Sequence, residues 1–316
     1  MLPIKPVRLG TRGSQLSLRQ SEAVVRALRL CAPEISIEVV VIQTAGDRAP
    51  DVPLERLEGI GFFAKELEAA LLDGRCDLAV HSAKDLPTQV HRDLCLAAFP
   101  PRADPRDVLI DSAGRTLATL PPGARVATSS VRRRAQILYQ RPDVTPVSIR
   151  GNIDTRLAKL ERGLCDALCV AGAGLVRMGW ERRVSEWLEP EVMLPAPGQG
   201  ALALEVRRRD SDLVELARLI DHAPTRGAAE AERAFVARLG SGCRAPAAAL
   251  ATVEAGVVTL EGLVAREDGS VVRRHRASAP EQVAEWLGGS VAEYLLAHAG
   301  FALEPDRSGA SSGAAP

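Results

Sequence analysis

Between residues 125 and 177 one pattern recurs three times. A short apolar run (125–128, 144–149, 167–171) is followed at once by small or polar residues and a helix start that carries arginine. Arg132 and Arg133 follow Ser129 and Ser130, Arg156 follows Arg150, Gly151 and Asn152, and Arg177 follows Gly172 and Gly174. Apolar runs without alternation suit strands buried on both faces, and their alternation with helices predicts a parallel α/β sheet. The start of the chain reads in the same way. A strand over 7–11 leads into Arg12, Gly13 and Ser14, with Ser14 placed to cap a helix that contains Gln20. A second strand is expected over 35–42.

Arginine is a poor choice for the first turn of an isolated helix, where it opposes the helix dipole by about 0.3–1 kcal/mol. A bound anion reverses that cost, because free helix N–H groups, cap hydroxyls and guanidinium forks all favour a carboxylate or phosphate. One such helix start reads as a solvated face. Three strand ends in one region, each with arginine, point to a polyanionic ligand.

Residues 77–87 bring a different chemistry to the same kind of place. Leu78, Ala79 and Val80 form another buried-strand run. Pro87 stops it and pushes Leu86 towards extended geometry. Ser82, Lys84 and Asp85 then fall just past the carboxyl end of a strand, where open α/β sheets bind ligands. A carboxylate beside an ammonium there is a candidate acid/base or cation stabiliser; a solvated Lys–Asp turn is the alternative on these residues alone. Upstream, 44–61 has few residues able to anchor a core and reads as a lid. A helix marked by Phe63, Leu67, Ala70 and Leu71 follows, stopped by Gly74.

The remaining features set limits. At 316 residues the chain has room for two or three domains, and its zero net charge gives no support to a nucleic-acid or membrane-surface role. No apolar stretch reaches ~18 residues or has signal-peptide character, so a reduced cytoplasmic setting is expected. Gly198 and Gly200 flank Gln199, which suggests close backbone approach to a ligand, or only a tight turn. From residue 223 a helix, three strands with an Asp268-Gly269 hairpin turn and a last helix over 280–299 predict a small α+β domain. The tail 304–316 is expected to be disordered. The six cysteines form no CxxC pair, and Cys165 and Cys169 read as buried thiols. Cys243 differs: Gly242 leaves its sulfur accessible and Arg244 favours the thiolate. A reactive or modified thiol and an idle loop cysteine both stay open for it. The histidines have no triad or metal-ligand spacing and read as structural; no metal site is expected.

Together these stretches resemble the porphobilinogen deaminase (hydroxymethylbilane synthase) family. The resemblance rests on Thr11-Arg12-Gly13-Ser14, Lys65-Glu66-Leu67-Glu68, Ala79-Val80-His81-Ser82-Ala83-Lys84-Asp85 and Thr128-Ser129-Ser130-Val131-Arg132-Arg133. It continues through Arg150-Gly151-Asn152, Thr155-Arg156-Leu157, Leu194-Pro195-Ala196-Pro197-Gly198-Gln199-Gly200, Ala231-Glu232-Arg233-Ala234 and Gly242-Cys243. All occur in this order, and the match runs to about residue 300.

The resemblance implies two α/β lobes like those of periplasmic binding proteins, crossed twice by the chain, and a small C-terminal α+β domain. The boundaries would be 1–100 with 200–219, then 105–194, then 223–303. It implies a transferase that joins four porphobilinogen molecules head to tail, releasing ammonia, into the linear tetrapyrrole hydroxymethylbilane, in tetrapyrrole and haem biosynthesis. The primer would be a covalent dipyrromethane cofactor held by a thioether, and Cys243 matches its attachment cysteine. Asp85 matches the catalytic carboxylate, which would stabilise positive charge on the electrophilic pyrrole left by ammonia loss.

Ser82, Lys84, Thr128, Ser129 and Ser130 match cofactor-binding positions, as do Arg132, Arg133, Arg156 and Gly200. Arg12, Ser14, Gln20 and Arg150 match positions that meet substrate, with Arg156, Arg177 and Gln199. Each pyrrole carries two carboxylates, so the growing chain is the polyanion that the arginines call for. The expected partners are porphobilinogen and the pyrrole chain, with no nucleic acid or membrane, and the expected state is a cytoplasmic monomer. One departure stands in the lid, where the family often carries Gly-Lys-Gly and this chain has Gly59-Ile60-Gly61; closure is expected to use Arg56 and Phe63. The competing reading is a two-lobed solute-binding or sensor protein for a polycarboxylate ligand, which would need neither Asp85 nor Cys243.

Overall fold

The computed structural model describes residues 6–43, 64–240 and 246–301. The expected lid with Arg56 and Phe63, the tail from 304 and Cys243 lie outside the described residues. The first sheet is built from β1 (Val7–Thr11), β2 (Ile37–Val41), β3 (Leu78–Ser82) and β4 (Leu94–Ala98), with α1 (Gln15–Cys31) and α2 (Lys65–Leu72) between them. The second holds β5 (Asp107–Asp111), β6 (Arg125–Ala127), β7 (Thr145–Val147), β8 (Ala167–Ala171) and β9 (Glu186–Leu188). Its helices are α3 (Val131–Gln140), α4 (Ile153–Glu161) and α5 (Gly172–Met178). The chain then forms β10 (Leu202–Arg207) and α6 (Ser211–Arg218). It ends with α7 (Ala223–Leu239), β11 (Ala247–Glu254), β12 (Val257–Ala265), β13 (Val272–Pro280) and α8 (Ala284–His298).

The sheet orders are β2-β1-β3-β10-β4, β7-β6-β8-β5-β9 and β11-β12-β13. The three strands expected to lie parallel do so, within a second sheet that is mixed as a whole. β6, β7 and β8 are parallel, but β5 runs antiparallel to both β8 and β9. β10 is likewise antiparallel between β3 and β4. The two sheets thus exchange strands. β5 enters the second sheet directly after β4 of the first, and β10 enters the first directly after β9 of the second. A strand that arrives by such a crossing, and not through a crossover helix, is free to run antiparallel.

Each sheet closes over its own core. Leu9, Leu28, Leu78 and Leu204 are sealed in the first, and Leu109, Val126, Ile137 and Leu168 in the second. In the third, α7 and α8 cover the sheet through Phe235, Leu287 and Val291. Gly262 of β12 makes this possible, since a Cβ there would lie 2.6 Å from the Phe235 ring. The β12–β13 turn packs directly on α3. Gly269 has φ 72°, and a Cβ on it would meet Leu138 Cβ at 2.6 Å and the Ala135 carbonyl at 2.8 Å.

Glu232 of α7, with no exposed surface, joins the three parts. Its carboxylate accepts from Arg102 Nη1 at 2.6 Å and Nη2 at 3.1 Å, from the Gly198 N–H, and from the Ala251 N–H at 2.7 Å. Arg102 lies on the segment from β4 to β5, and Gly198 on the segment from β9 to β10. Breaking a buried pair strands the remaining charge, so Glu232→Gln is expected to cost about 3–5 kcal/mol in equilibrium denaturation. The exposed Arg238–Glu293 pair, which joins the same helix to α8, serves as control: Arg238→Ala should cost under about 1 kcal/mol. Equal losses would show that burial is not what makes the joint matter.

Candidate active site between the two sheets

Strand direction decides what meets at the junction. Leu202 pairs with Ser82, so β10 starts beside the carboxyl end of β3. Asp107 pairs with Ala171, so β5 starts beside the carboxyl end of β8. The ligand-binding ends of both sheets are therefore lined by the residues of the two crossings as well as by helix starts.

In the first lobe Ser14 caps α1, accepting from the Ser17 N–H at 3.2 Å, and leaves half-buried Arg12 just ahead of the helix. Gln20, buried inside α1, donates from Nε2 to Ser82 Oγ at 2.9 Å and so ties the helix to the end of β3. Ala83–Asp85 form one short 3-10 turn, and Leu86 beyond it is buried and extended. Lys84 and Asp85 are both solvent-accessible. Protein crowding around Lys84 nevertheless lowers its ammonium to about 8; Asp85 and Asp107 oppose the shift, and Arg133 and Arg132 add to it. Gly198 lies against this turn with φ 74°, and a Cβ on it would sit 2.8 Å from the Lys84 backbone nitrogen. The close backbone approach read from the two glycines is thus to the chain itself. Gly200, φ 85°, meets the Ala103 carbonyl in the same way, and its own carbonyl accepts from Arg177 Nη2 at 2.7 Å. From the third domain, Arg233 Nη2 donates to the carbonyls of Pro87 and Thr88 at 2.9 and 3.1 Å, holding the chain just after Asp85.

In the second lobe Ser130 caps α3 by accepting from the Arg133 N–H, and Thr128 Oγ1 accepts from the Ser130 N–H at 3.3 Å, with half-buried Ser129 between them. Arg132 and Arg133 point inward and are nearly fully buried. They converge on Asp107, which the sequence reading did not single out. Arg132 Nη1 reaches Oδ2 at 2.7 Å, and Arg133 reaches Oδ1 through Nε at 2.9 Å and Nη2 at 2.8 Å. Burial would raise the Asp107 pKa; the two guanidiniums overcome that and hold the carboxyl below the usual carboxylate range. Arg132 Nε is buried with no hydrogen-bond partner among the described residues. Arg156 Nε donates to the Gly151 carbonyl at 2.7 Å. Burial lowers Arg156 to about 10, with Arg133 and Arg150 repelling it, and burial lowers Arg177 to about 10. All remain cations at neutral pH.

Gln199, buried, spans the two sides. Nε2 donates to the Pro105 carbonyl and to Asp107 Oδ1, both at 2.8 Å; Oε1 faces Lys84 Nζ and Arg133 Nη2, both at 3.4 Å. The structural readings of two histidines hold: His81 Nε2 pairs with buried Glu205 at 2.9 Å, and His222 caps α7. Cys165 and Cys169 are buried, and burial pushes the Cys169 thiol up to about 12. Among the described residues, no group of three or more His, Cys, Asp or Glu side chains is arranged to hold a metal ion. No described helix is long and apolar enough to cross a membrane.

Asp107, Glu232 and Arg233 are the residues that sequence reasoning left without a role at this junction. For Asp107 a signal existed: the apolar run of Val108, Leu109 and Ile110 stands between two aspartates just after Pro105. Chemically, the strand ends of the two sheets offer several guanidinium groups, and the turn after β3 offers the accessible carboxylate of Asp85. That suits an anionic substrate on which positive charge develops.

Comparison with known proteins bears on this chemistry. Residues 7–215 match the family model described as "Porphobilinogen deaminase, dipyromethane cofactor binding domain", and residues 227–297 match "Porphobilinogen deaminase, C-terminal domain". A porphobilinogen deaminase from Syntrophotalea carbinolica is 47% identical over 291 residues, covering 92% of each chain. One from Roseiflexus castenholzii is 46% identical over 295 residues, covering 93% of this chain and 97% of the relative. Among solved structures, the alkanesulfonate-binding protein SsuA from Xanthomonas axonopodis pv. citri is 18% identical, with a TM-score of 0.39, over 73% of this chain and 74% of that one. With two family models matched in chain order, and relatives of nearly half identity along almost its whole length, the protein belongs to the porphobilinogen deaminase family.

Proposed function

We propose that the junction carries out the condensation of four porphobilinogen molecules, with loss of ammonia, on a dipyrromethane primer. The observation that carries this reading is the set of buried and half-buried arginines just past the carboxyl ends of strands in both sheets, together with the accessible carboxylate of Asp85 in the turn after β3. A polycarboxylate fits these residues. Arg132 keeps a buried Nε without an acceptor among the described residues, and Arg156 and Arg177 donate to backbone carbonyls, which are weaker acceptors than a carboxylate.

Lys84, Arg132, Arg133 and Arg156 would hold the carboxylates of the cofactor. The hydroxyls of Ser82, Thr128, Ser129 and Ser130 and the backbone at Gly200 would complete that hold, with Cys243 as attachment point. When bound, the cofactor supplies the pyrrole terminus to which new units are joined. Arg12, Ser14, Gln20 and Arg150 orient the incoming porphobilinogen, and Arg156 and Arg177 meet the lengthening chain. Gln199 acts on substrate through the two cations it faces. Asp85 stabilises the positive charge that grows on the substrate pyrrole as ammonia leaves, and takes up the proton released when the new bond forms.

We divide the chain into residues 1–100 with 200–219, 105–194 and 223–303; the pairing of β10 with β3 and β4 supports the first of these. The free thiols of Cys31, Cys76, Cys95, Cys165 and Cys169 support a reducing, cytoplasmic setting.

Intact mass tests the reading directly. Purified protein should exceed its sequence mass by two deaminated porphobilinogen units, and Cys243→Ser should not. If no excess is found, even after incubation with porphobilinogen or hydroxymethylbilane, the reading fails. Asp85→Asn should lower turnover by about 10²–10⁴-fold with little change in melting temperature. Retention of more than a tenth of the activity would remove Asp85 from its role.

The pH dependence follows from Lys84. Its ammonium is charged below about 8 and neutral above, so an anion bound to it must draw in a proton at higher pH. Binding of hydroxymethylbilane to Cys243→Ser should be flat below pH 7 and weaken by up to about tenfold per unit above 8. Lys84→Met should bind more weakly and lose that slope.

A further inference from the structure

Asp107 has no exposed surface, and its two oxygens are shared among three partners, two on α3 and one on the crossing from β9 to β10. Oδ2 serves Arg132, and Oδ1 serves Arg133 and Gln199. One negative charge therefore stands against two buried guanidiniums, with Lys84 just beyond Gln199. A buried cation without a counter-charge is costly.

We propose that Asp107 is a positioning residue that acts as resident counter-ion: it holds Arg132 and Arg133 ready for the carboxylates of the cofactor and, through Gln199, links that hold to Lys84. The inference rests on the assignment of these arginines to the cofactor. Three features set Asp107 apart from an ordinary buried ion pair. It stands at the ligand-binding end of the sheet, not in its body, because β5 starts beside the carboxyl end of β8. It leaves Arg132 unsaturated at Nε. And the two cations that share Gln199 Oε1 do so at 3.4 Å, through long bonds to a neutral amide that a carboxylate outcompetes. A ligand carboxylate supplies the missing charge, so the stability that depends on Asp107 is greatest when the cofactor is absent.

The test compares two forms of the full-length chain, the cofactor-bearing protein and the cofactor-free Cys243→Ser, each checked by intact mass. Asp107→Asn is introduced into both and thermal unfolding is measured. The melting temperature of the cofactor-free form should fall by about 5–10 °C, and that of the cofactor-bearing form by less than half as much. Equal losses, or no loss in either, would overturn the proposal. If the cofactor-free Asp107→Asn chain does not fold, adding Arg133→Gln decides. Removing one cation with the carboxylate restores folding if charge balance is what Asp107 supplies, and continued failure overturns the proposal. The underlying assignment fails in a different way: cofactor would attach normally to Arg132→Gln and would not raise the melting temperature of the unaltered protein.

Discussion

The carboxylate of Glu232 accepts four hydrogen bonds from three separate stretches of chain, and it is where the two crossings and the third domain meet. A bare carboxylate at zero exposure is untenable, so its donors must arrive together. Arg102 comes from the first crossing and Gly198 from the second, while Ala251 belongs to the third domain. The joint therefore pins both crossings at one point. From that point β5 and β10 enter their sheets, which puts Asp107 beside β8 and Gln199 beside the turn of Lys84 and Asp85. The third domain adds two more restraints, Arg233 on the chain after Asp85 and the Gly269 turn on α3, whose first turn holds Arg132 and Arg133. It thus braces both halves of the site from behind.

The electrostatics follow from this scaffold. Arginine in a first helical turn and arginine in a buried pocket are each unfavourable, and here they coincide at α3. The capping hydroxyl of Ser130 and the shared charge of Asp107 make the arrangement tolerable without cancelling it. Lysine could not replace these arginines on equal terms. The lowered ammonium of Lys84 shows how readily a lysine at this junction moves towards its neutral form, whereas a guanidinium keeps its charge and its fork of donors.

Much of this is legible in the sequence because it is local. The three strand-and-helix units over 125–177, the caps at Ser14 and Ser130, and the turn that ends β3 depend on neighbours a few residues apart. Strand direction does not. Short apolar runs such as Val108-Leu109-Ile110 look alike in either sense, and the crossing that delivers β5 decides it; hence a sheet that is mixed as a whole although three of its strands lie parallel as expected. The role of Asp107 is hidden for the same reason. Its partners lie 25, 26 and 92 positions away in sequence, and no local pattern joins them. Gly198 and Gly200 are readable as sites of close approach, but only the fold shows that the partners are the Lys84 backbone nitrogen and the Ala103 carbonyl.

The cost of gathering these cations at one junction is also a source of selectivity. Lys84, Arg156 and Arg177 all lie below their ordinary values because the protein packed around them disfavours their charge. A ligand that brings one carboxylate relieves one of them. A ligand that brings several on a single backbone relieves them together and loses translational freedom only once, so affinity rises faster than in proportion to its charge. On the proposed reading, this favours a tethered pyrrole chain over free porphobilinogen at the deep arginines, and leaves the cations nearer α1 to receive each new unit. A covalent primer then does more than start the chain. It keeps permanently in place the counter-charge that the fold does not supply for itself, so that the arginines stay ordered between one addition and the next.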